Sequence, residues 1–308
     1  MNSVTIFQAI TKQKLILPFY HAVAEQPLPH IKHLYHMKTV KEFLKDLDFL
    51  LQHFEPIGAE TLYQFHVNKT VPQKPVFHLT FDDGLKEISE IVAPILLQKG
   101  VPATFFVNSG FVDNKALFYR YHESLAIEDL SQKDKLTNSL KTDILSCSYK
   151  NRNDLFQYFS QLQIDDFLKT DKPYLTVEQL KQLRAQGFTI GAHSVDHPYY
   201  EEISLEEQHR QTLSSLEFIS SLMHQKLRLF AFPFTDNNVS RKFFNNIEPF
   251  VDLSFGTANF KKEEVPFHYQ RIAAEKKTMD SLESIVMKAY FMKGIRYFLG
   301  KDTIYRIM

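Results

Sequence analysis

The residues with the most chemistry to offer stand at the ends of two short apolar stretches. Val76 to Phe81 is a nearly unbroken apolar and β-branched run, apart from His78, and it stops at Asp82-Asp83-Gly84. Such a run suits a strand buried on both faces, as in a parallel sheet. Two carboxylates at the tip of a buried strand are costly unless a metal ion or a basic side chain pairs with them. Gly84 lets the chain turn tightly and approach a ligand. Asp-Asp-Gly is also a common turn tripeptide, so a second stretch has to decide. Phe188 to Gly191 reads as another short buried strand, followed by His193, Ser194, Asp196 and His197. Two histidines four apart can converge on one ion. A carboxylate from another strand end completes a three-ligand set and leaves a position for water, which is the layout of a catalytic metal site.

TFDDG at residues 80–84 and HSVDH at 193–197, in this order and about 110 residues apart, resemble the first two motifs of the polysaccharide deacetylases, carbohydrate esterase family 4. The resemblance covers roughly residues 15–275 and weakens after residue 235. It implies that Asp83, His193 and His197 bind a divalent metal, with zinc the expected ion, and that Asp82 is the general base. A bound divalent ion lowers the pKa of water from about 15.7 to about 7 and polarises an acyl oxygen. The two carboxylates then need different work: one is neutralised by the cation, the other stays ionised beside the attacking water. Ser194, between the two histidines, either orients a ligand from behind or is a loop serine. Asp196 reads as a turn former. His21 follows the first strand at the rim, where it would touch substrate or support the site.

The later motifs are altered. LFAFPFTD at 229–236 resembles the third motif, an aromatic-Arg-Pro-Pro-Tyr-Gly type of segment. Pro233 and Phe234 match its Pro–aromatic pair, so Phe234 is expected to wall the sugar pocket unless it belongs to the core. Ala231 stands where many members carry arginine, and Thr235 replaces glycine. Asp252 is the position to set against the fourth motif, but no tryptophan follows, because the chain has none. Val265-Pro266-Phe267-His268 imitates the late Leu-x-x-His and makes His268 the candidate acid. Beside it, Gln270-Arg271-Ile272 resembles an Arg-Ile segment of some biosynthetic members. Arg271 is therefore the candidate to replace the missing arginine and hold Asp82 through two parallel hydrogen bonds.

The elements that must position these residues alternate between strand and helix. Leu15 to Tyr20 reads as a first strand, and Thr39 with Glu42 forms a capping box for a helix carrying Phe43, Leu47 and Leu51. Ile88 to Lys99 reads as a helix closed by Gly100. Thr104 to Val107 is the next strand, completing a βαβ unit with parallel strands. Residues 111–172 interrupt the rhythm as a helical insertion covering one side of the rim. Thr176 and Gln179 cap a helix before the His193 strand, and Ser204 and Glu207 cap another. Leu227 to Phe232 and Val251 to Phe255 read as strands. Asp280 and Glu283 open a last helix at about 280–299. Repeated strand–helix pairs imply a parallel barrel or a doubly wound sheet, and both place their sites at the C-terminal ends of strands. The family resemblance selects the α/β class with a distorted (β/α)7 barrel, here as one domain over residues 1–308.

Composition bounds the rest. Lys+Arg and Asp+Glu are equal at 36 each, so no global field favours nucleic acid or an anionic membrane. The single cysteine, Cys147, excludes an internal disulfide and a thiolate cluster. No apolar run approaches the ~20 residues of a membrane span. The N-terminus lacks a basic region followed by an apolar core and a small-residue cleavage site, so a cytoplasmic chain is expected. The segment from Ser281 to Met308 mixes aromatic and basic residues. It reads as a helix packing on the barrel or as one resting on a membrane. The function expected is a metal-dependent hydrolase removing N-acetyl groups from a polysaccharide or glycan precursor. The same residues would serve an O-acetyl esterase or a small-amide hydrolase. The altered later motifs would also fit a carbohydrate-binding protein on a deacetylase barrel.

Overall fold

The computed structural model describes residues 3–275 and 280–307. Eight short strands form one parallel sheet that curls into a nearly closed barrel. They are β1 (Pro18–Tyr20), β2 (Leu79–Phe81), β3 (Ala103–Val107), β4 (Thr189–Ala192), β5 (Leu229–Ala231), β6 (Leu253–Gly256), β7 (His268–Gln270) and β8 (Ile272–Ala273). Their order is β7-β6-β5-β4-β3-β2-β1-β8. β7 and β8 are consecutive pieces of one extended run, interrupted only at Arg271. β7 pairs with β6 and β8 pairs with β1, so this run spans the seam between the two edges of the sheet. Counted as one stave, it gives the seven parallel staves of a (β/α)7 barrel.

Alternation along the strands divides the side chains. Leu17, Phe106, Leu229, Ala231, Leu253 and Phe255 fill the barrel interior. Phe77, Phe81, Phe105, Ile190 and Phe230 face outward into the layer under the helices. Gly191 faces inward, where a Cβ would lie 2.3 Å from the Phe106 ring, so only glycine fits. Two expected strands are each split. Leu15–Ile16 and Val76–Phe77 pair in a small sheet with Glu55–Pro56, and only the later halves enter the barrel. Pro18, with no N–H to give, stands at the first break. His78 stands at the second, its ring hydrogen-bonded to the Ile57 carbonyl and Thr104 Oγ1 at 2.9 Å each.

The helices start largely where their caps dictate. Thr39 with Glu42 and Thr176 with Gln179 form complete capping boxes. Ser204 accepts from the Glu207 N–H at the head of Leu205–Met223. The segment expected as a helix over Ile88–Lys99 begins as a π-turn, Ile88–Val92, and becomes α only over Ala93–Lys99. Pro94 has no N–H for the regular ladder. The final helix is Leu282–Phe298, capped by Ser281 and not by Asp280. Asp280 instead accepts from Lys288 at 3.1 Å and from Lys38 at 2.8 Å. The strand expected at Val251 begins at Leu253, because Asp252 is taken by Arg228 outside the barrel.

Between β3 and β4, residues 111–172 fold into the helices Tyr119–Gln132, Asn138–Leu145 and Gln161–Thr170 with two 3₁₀ segments, and the helix Val177–Ala185 follows them. They share an apolar cluster of their own that includes Phe118, Tyr121, Ile127 and Ile144 and reaches Phe234 at the barrel mouth. The Leu282–Phe298 helix buries Leu282, Ile285, Val286, Ala289 and Tyr290 and packs on the Ser3–Thr11 and Val40–His53 helices. Among the described residues no helix is long and apolar enough to cross a membrane.

Candidate active site

The strand register brings the site together. Tyr20 is level with Phe81, Val107 with Ala192, and Ala192 with Phe230. The register therefore sets His21 level with Asp82 and, two residues further along the staves, Asn108 level with His193 and Ala231. Inward-facing parity is shared by residues 17, 19 and 21 of the first stave and by 78, 80 and 82 of the second. That parity turns His21 and Asp82 toward the axis.

Asp83, His193 and His197 converge, all three buried. His193 Nε2 lies 3.5 Å and His197 Nε2 3.2 Å from Asp83 Oδ1. His193 Nδ1 donates to the Ala231 carbonyl at 2.8 Å, which leaves Nε2 bare and facing the carboxylate. Burial first, then the neighbouring His197, pushes the His193 pKa down to about 4, so the ring is a neutral donor. Among the described residues Asp83 Oδ1 has no hydrogen-bond partner. An orphaned buried carboxylate oxygen between two imidazole nitrogens fits a cation. Donors held tetrahedrally at about 2.0–2.2 Å from one ion stand roughly 3.3–3.6 Å apart. The other oxygen, Oδ2, accepts from the Tyr121 hydroxyl at 2.7 Å.

Asp82 is occupied differently. Arg271 Nη1 and Nη2 donate to its two oxygens at 2.7 Å each, and Nη1 also donates to Thr80 Oγ1 at 3.1 Å. The guanidinium is fully buried and lies over the Phe19 ring at 4.4 Å. Burial works against the Asp82 charge, but Arg271 and then His193 outweigh it and hold the carboxyl below its ordinary range. Asp82 Oδ2 remains 3.9 Å from His193 Nε2, beside the candidate metal position.

The turns that present these groups are tight. Asp83, Ser194, His197 and Phe234 all have left-handed backbone, at φ 70°, 69°, 63° and 53°, a conformation that costs a non-glycine residue about 1–2 kcal/mol. Their clustering around one point marks a site where surrounding structure enforces geometry. Gly84 shares it at φ 69°, and a Cβ there would meet Val107 Cγ1 at 2.8 Å. Ser194 Oγ accepts from the His197 N–H at 3.0 Å and from Asn108 Nδ2 at 3.3 Å, bracing the second histidine.

A cavity of about 260 Å³ opens over these groups. Its walls include His21, Tyr35, Phe118, Arg120, Tyr199 and Phe234. Phe234 stacks on Tyr199 with ring centres 3.7 Å apart, and its centre lies 4.5 Å from that of His197. His21 faces the cavity with Nδ1 2.7 Å from Glu275 Oε2. Burial lowers its pKa, but the Glu275 hydrogen bond and the charges of Asp83, Glu275 and Asp82 raise it to about 9.

His268 lies elsewhere. It is three residues from Arg271 in one extended run, so the two side chains leave opposite faces of the stave. Arg271 points into the barrel. His268 points out, toward Phe244, with Nδ1 2.8 Å from Ser254 Oγ and Nε2 3.1 Å from Asp236 Oδ2. Its ring is outside the cavity that holds His193 and His197, so the assignment of His268 as the acid is corrected. Asp236, Glu263 and His268 are near enough to hold a metal. The Arg306 guanidinium already sits between the two carboxylates, so the cluster is satisfied by the chain itself. Tyr121 and Glu275 went unread in the sequence. Tyr121 comes from a segment with no motif. Glu275 is placed by register: Ala273 is level with Phe19, and the same pairing two residues on sets Glu275 beside His21.

A parallel barrel with a three-donor metal site and a held carboxylate at its C-terminal rim defines a metal-dependent hydrolase. The chain belongs to the polysaccharide deacetylase family, whose model matches residues 69–244. It is thus a metal-dependent deacetylase, cleaving amide bonds on glycans. Solved structures share the fold at low identity. The Streptococcus pyogenes deacetylase PplD is 16% identical, with a TM-score of 0.59 over 90% of this chain and 98% of that one. The de-N-acetylase from Aggregatibacter actinomycetemcomitans is 14% identical, with a TM-score of 0.57 over 90% and 99%. IcaB from Ammonifex degensii is 16% identical, with a TM-score of 0.54 over 90% and 95%. No curated protein matches the chain in sequence.

Proposed function

We propose that the protein removes N-acetyl groups from a polysaccharide or glycan precursor, with zinc as its ion. The observation that carries this reading is the orphaned Asp83 Oδ1 between His193 Nε2 and His197 Nε2, next to a carboxylate that Arg271 keeps ionised. A divalent ion held by those three donors would acidify water and polarise the acyl oxygen.

The remaining work falls to the chain's own groups. Asp82 accepts the proton of the attacking water. Its two oxygens are held by Arg271, which fixes the carboxylate's position and keeps it ionised. Phe234 and Tyr199 present an apolar wall for the acyl methyl. As the water oxygen bonds to the acyl carbon and the C–N bond breaks, the amine nitrogen needs a proton. His21 supplies it from Nε2, because Nδ1 is committed to Glu275 and the ring is protonated at neutral pH. The products are acetate and a free amino sugar. The Streptococcus pyogenes relative is known in complex with acetate, the acid expected here.

The test is acetate release from N-acetylglucosamine oligomers by metal-stripped protein titrated with zinc. Release that rises to one equivalent of zinc supports the reading. Stoichiometric zinc binding without acetate, from these oligomers or from O-acetylated sugars, would return the protein to a carbohydrate-binding role.

A further inference from the structure

The Leu282–Phe298 helix is apolar on two opposite faces. One face carries Leu282, Ile285, Val286, Ala289 and Tyr290 into the core. The other carries Phe291, Met292, Ile295, Phe298 and Leu299, at 58%, 40%, 37%, 86% and 63% exposure. At 100° per residue these five fall in one stripe about 120° wide. Beside it, the Ser3–Thr11 helix packs through Phe7 on Tyr290 and leaves Ile6 and Ile10 exposed one turn apart. An apolar stripe facing solvent, opposite one already facing the core, needs an occupant.

Charge decides which. Between Ser284 and Lys301 there is no carboxylate, and none occurs between Ser3 and Lys14. The same two segments carry Lys12, Lys14, Lys288, Lys293, Arg296 and Lys301, of which Lys293 is buried against Gln13 and Lys288 is paired with Asp280. The overall charge of the chain is balanced, so this face is locally basic by placement. Aromatic and aliphatic side chains flanked by Lys and Arg, on a helix that cannot span, match a bilayer surface rich in anionic lipid.

We propose that this face docks the protein on an anionic membrane surface. The helix lies in the interface, with Phe291, Ile295 and Phe298 among the acyl chains and Arg296 and Lys301 at the headgroups. The docking leaves the cleft free. Tyr290 and Lys293 hydrogen-bond to Gln13, which precedes the first strand. The exposed half of the helix therefore lies by the N-terminal ends of the staves, and the metal site lies at their C-terminal ends. The mouth faces the aqueous phase, where a glycan is presented.

The test is co-sedimentation of the full chain with vesicles of phosphatidylcholine alone and with one third phosphatidylglycerol. Light scattering in parallel reports self-association. Binding is expected to the anionic vesicles and to weaken about fivefold for each cation removed, in Arg296→Gln and Lys301→Gln. F291S/F298S should lose at least tenfold while acetate release from soluble oligomers stays unchanged, since these residues are far from the cleft. Failure to bind anionic vesicles at low salt overturns the proposal. So does a dimer that F291S/F298S dissociates while vesicles are ignored, because a second copy would then cover the stripe.

Discussion

Arg271 holds Asp82 across the seam of the barrel. The arginine sits where β7 passes into β8, the aspartate at the tip of β2, and two parallel hydrogen bonds of 2.7 Å join them. The main-chain N–H and Nε of Arg271 both donate to the Gly256 carbonyl, at 3.1 and 3.3 Å. One residue therefore stitches the last stave to β6 and keeps the proposed base ionised. Ala231, on the opposite wall, is free to give its carbonyl to His193.

Arg271→Lys should lower kcat more than it raises KM. Lysine keeps the charge but loses the fork, and one charged hydrogen bond contributes about 1.5–3 kcal/mol, or roughly 10- to 150-fold in rate. Arg271→Ala should also destabilise the fold by about 3–5 kcal/mol, because it leaves Asp82 buried and unpaired. Steady-state kinetics and urea melts check both. A fully active alanine variant would refute the tether.

Asp82→Asn should retain zinc, since the three donors are untouched, and lose about 10²–10⁴-fold in turnover. Zinc stoichiometry and acetate release, measured on one preparation, separate the two effects.

His21 and Glu275 predict an alkaline limb. Glu275 and the neighbouring carboxylates raise the His21 pKa to about 9 in the metal-free site. A cation on Asp83 offsets part of that rise, so turnover should fall along an alkaline limb that lies below this value. Glu275→Gln removes the partner that raises the pKa, and the limb should move toward neutral pH. The linkage has the same sign in stability. A raised folded-state pKa stabilises fully below the ordinary histidine value and is lost as pH rises through about 9. The melting difference between wild type and Glu275→Gln should therefore be largest near pH 6 and vanish above pH 9. A pH–rate profile unchanged by this variant would exclude His21 as the acid.

Tyr121→Phe should weaken zinc binding by about 10- to 100-fold, the usual effect of removing a partner of a metal ligand. The phenol fixes Asp83 Oδ2 and so aims Oδ1 at the two histidines. Competition with a chromogenic chelator reads this without any substrate.

His268→Asn should act on stability and not on chemistry. Its ring joins Ser254 to Asp236 in a buried network with Arg306, and an unsatisfied buried partner costs about 1–3 kcal/mol. A lower Tm with unchanged kcat is the expected pair of results.

By itself the sequence determined what is local. Apolar runs ending in Asp82-Asp83 and in His193 to His197 marked strand tips, because burial and polarity alternate over a few residues. Capping residues marked helix starts for the same reason, and Asp280 misled only where a lysine claimed it. Strand–helix alternation limited the fold to a barrel or an open sheet, and motif resemblance chose the barrel. The parity of the His268–Ile272 run went unread: His268 and Arg271, three apart in an extended run, could not both face inward. Tertiary structure decided the rest, because it depends on which staves become neighbours. Closure of the seam brings Arg271 to Asp82 across 189 residues and Glu275 to His21 across 254. The fold of the insertion brings Tyr121 onto Asp83. Such pairings are set by sheet order, register and the packing of one segment over another, and no short window of sequence encodes them.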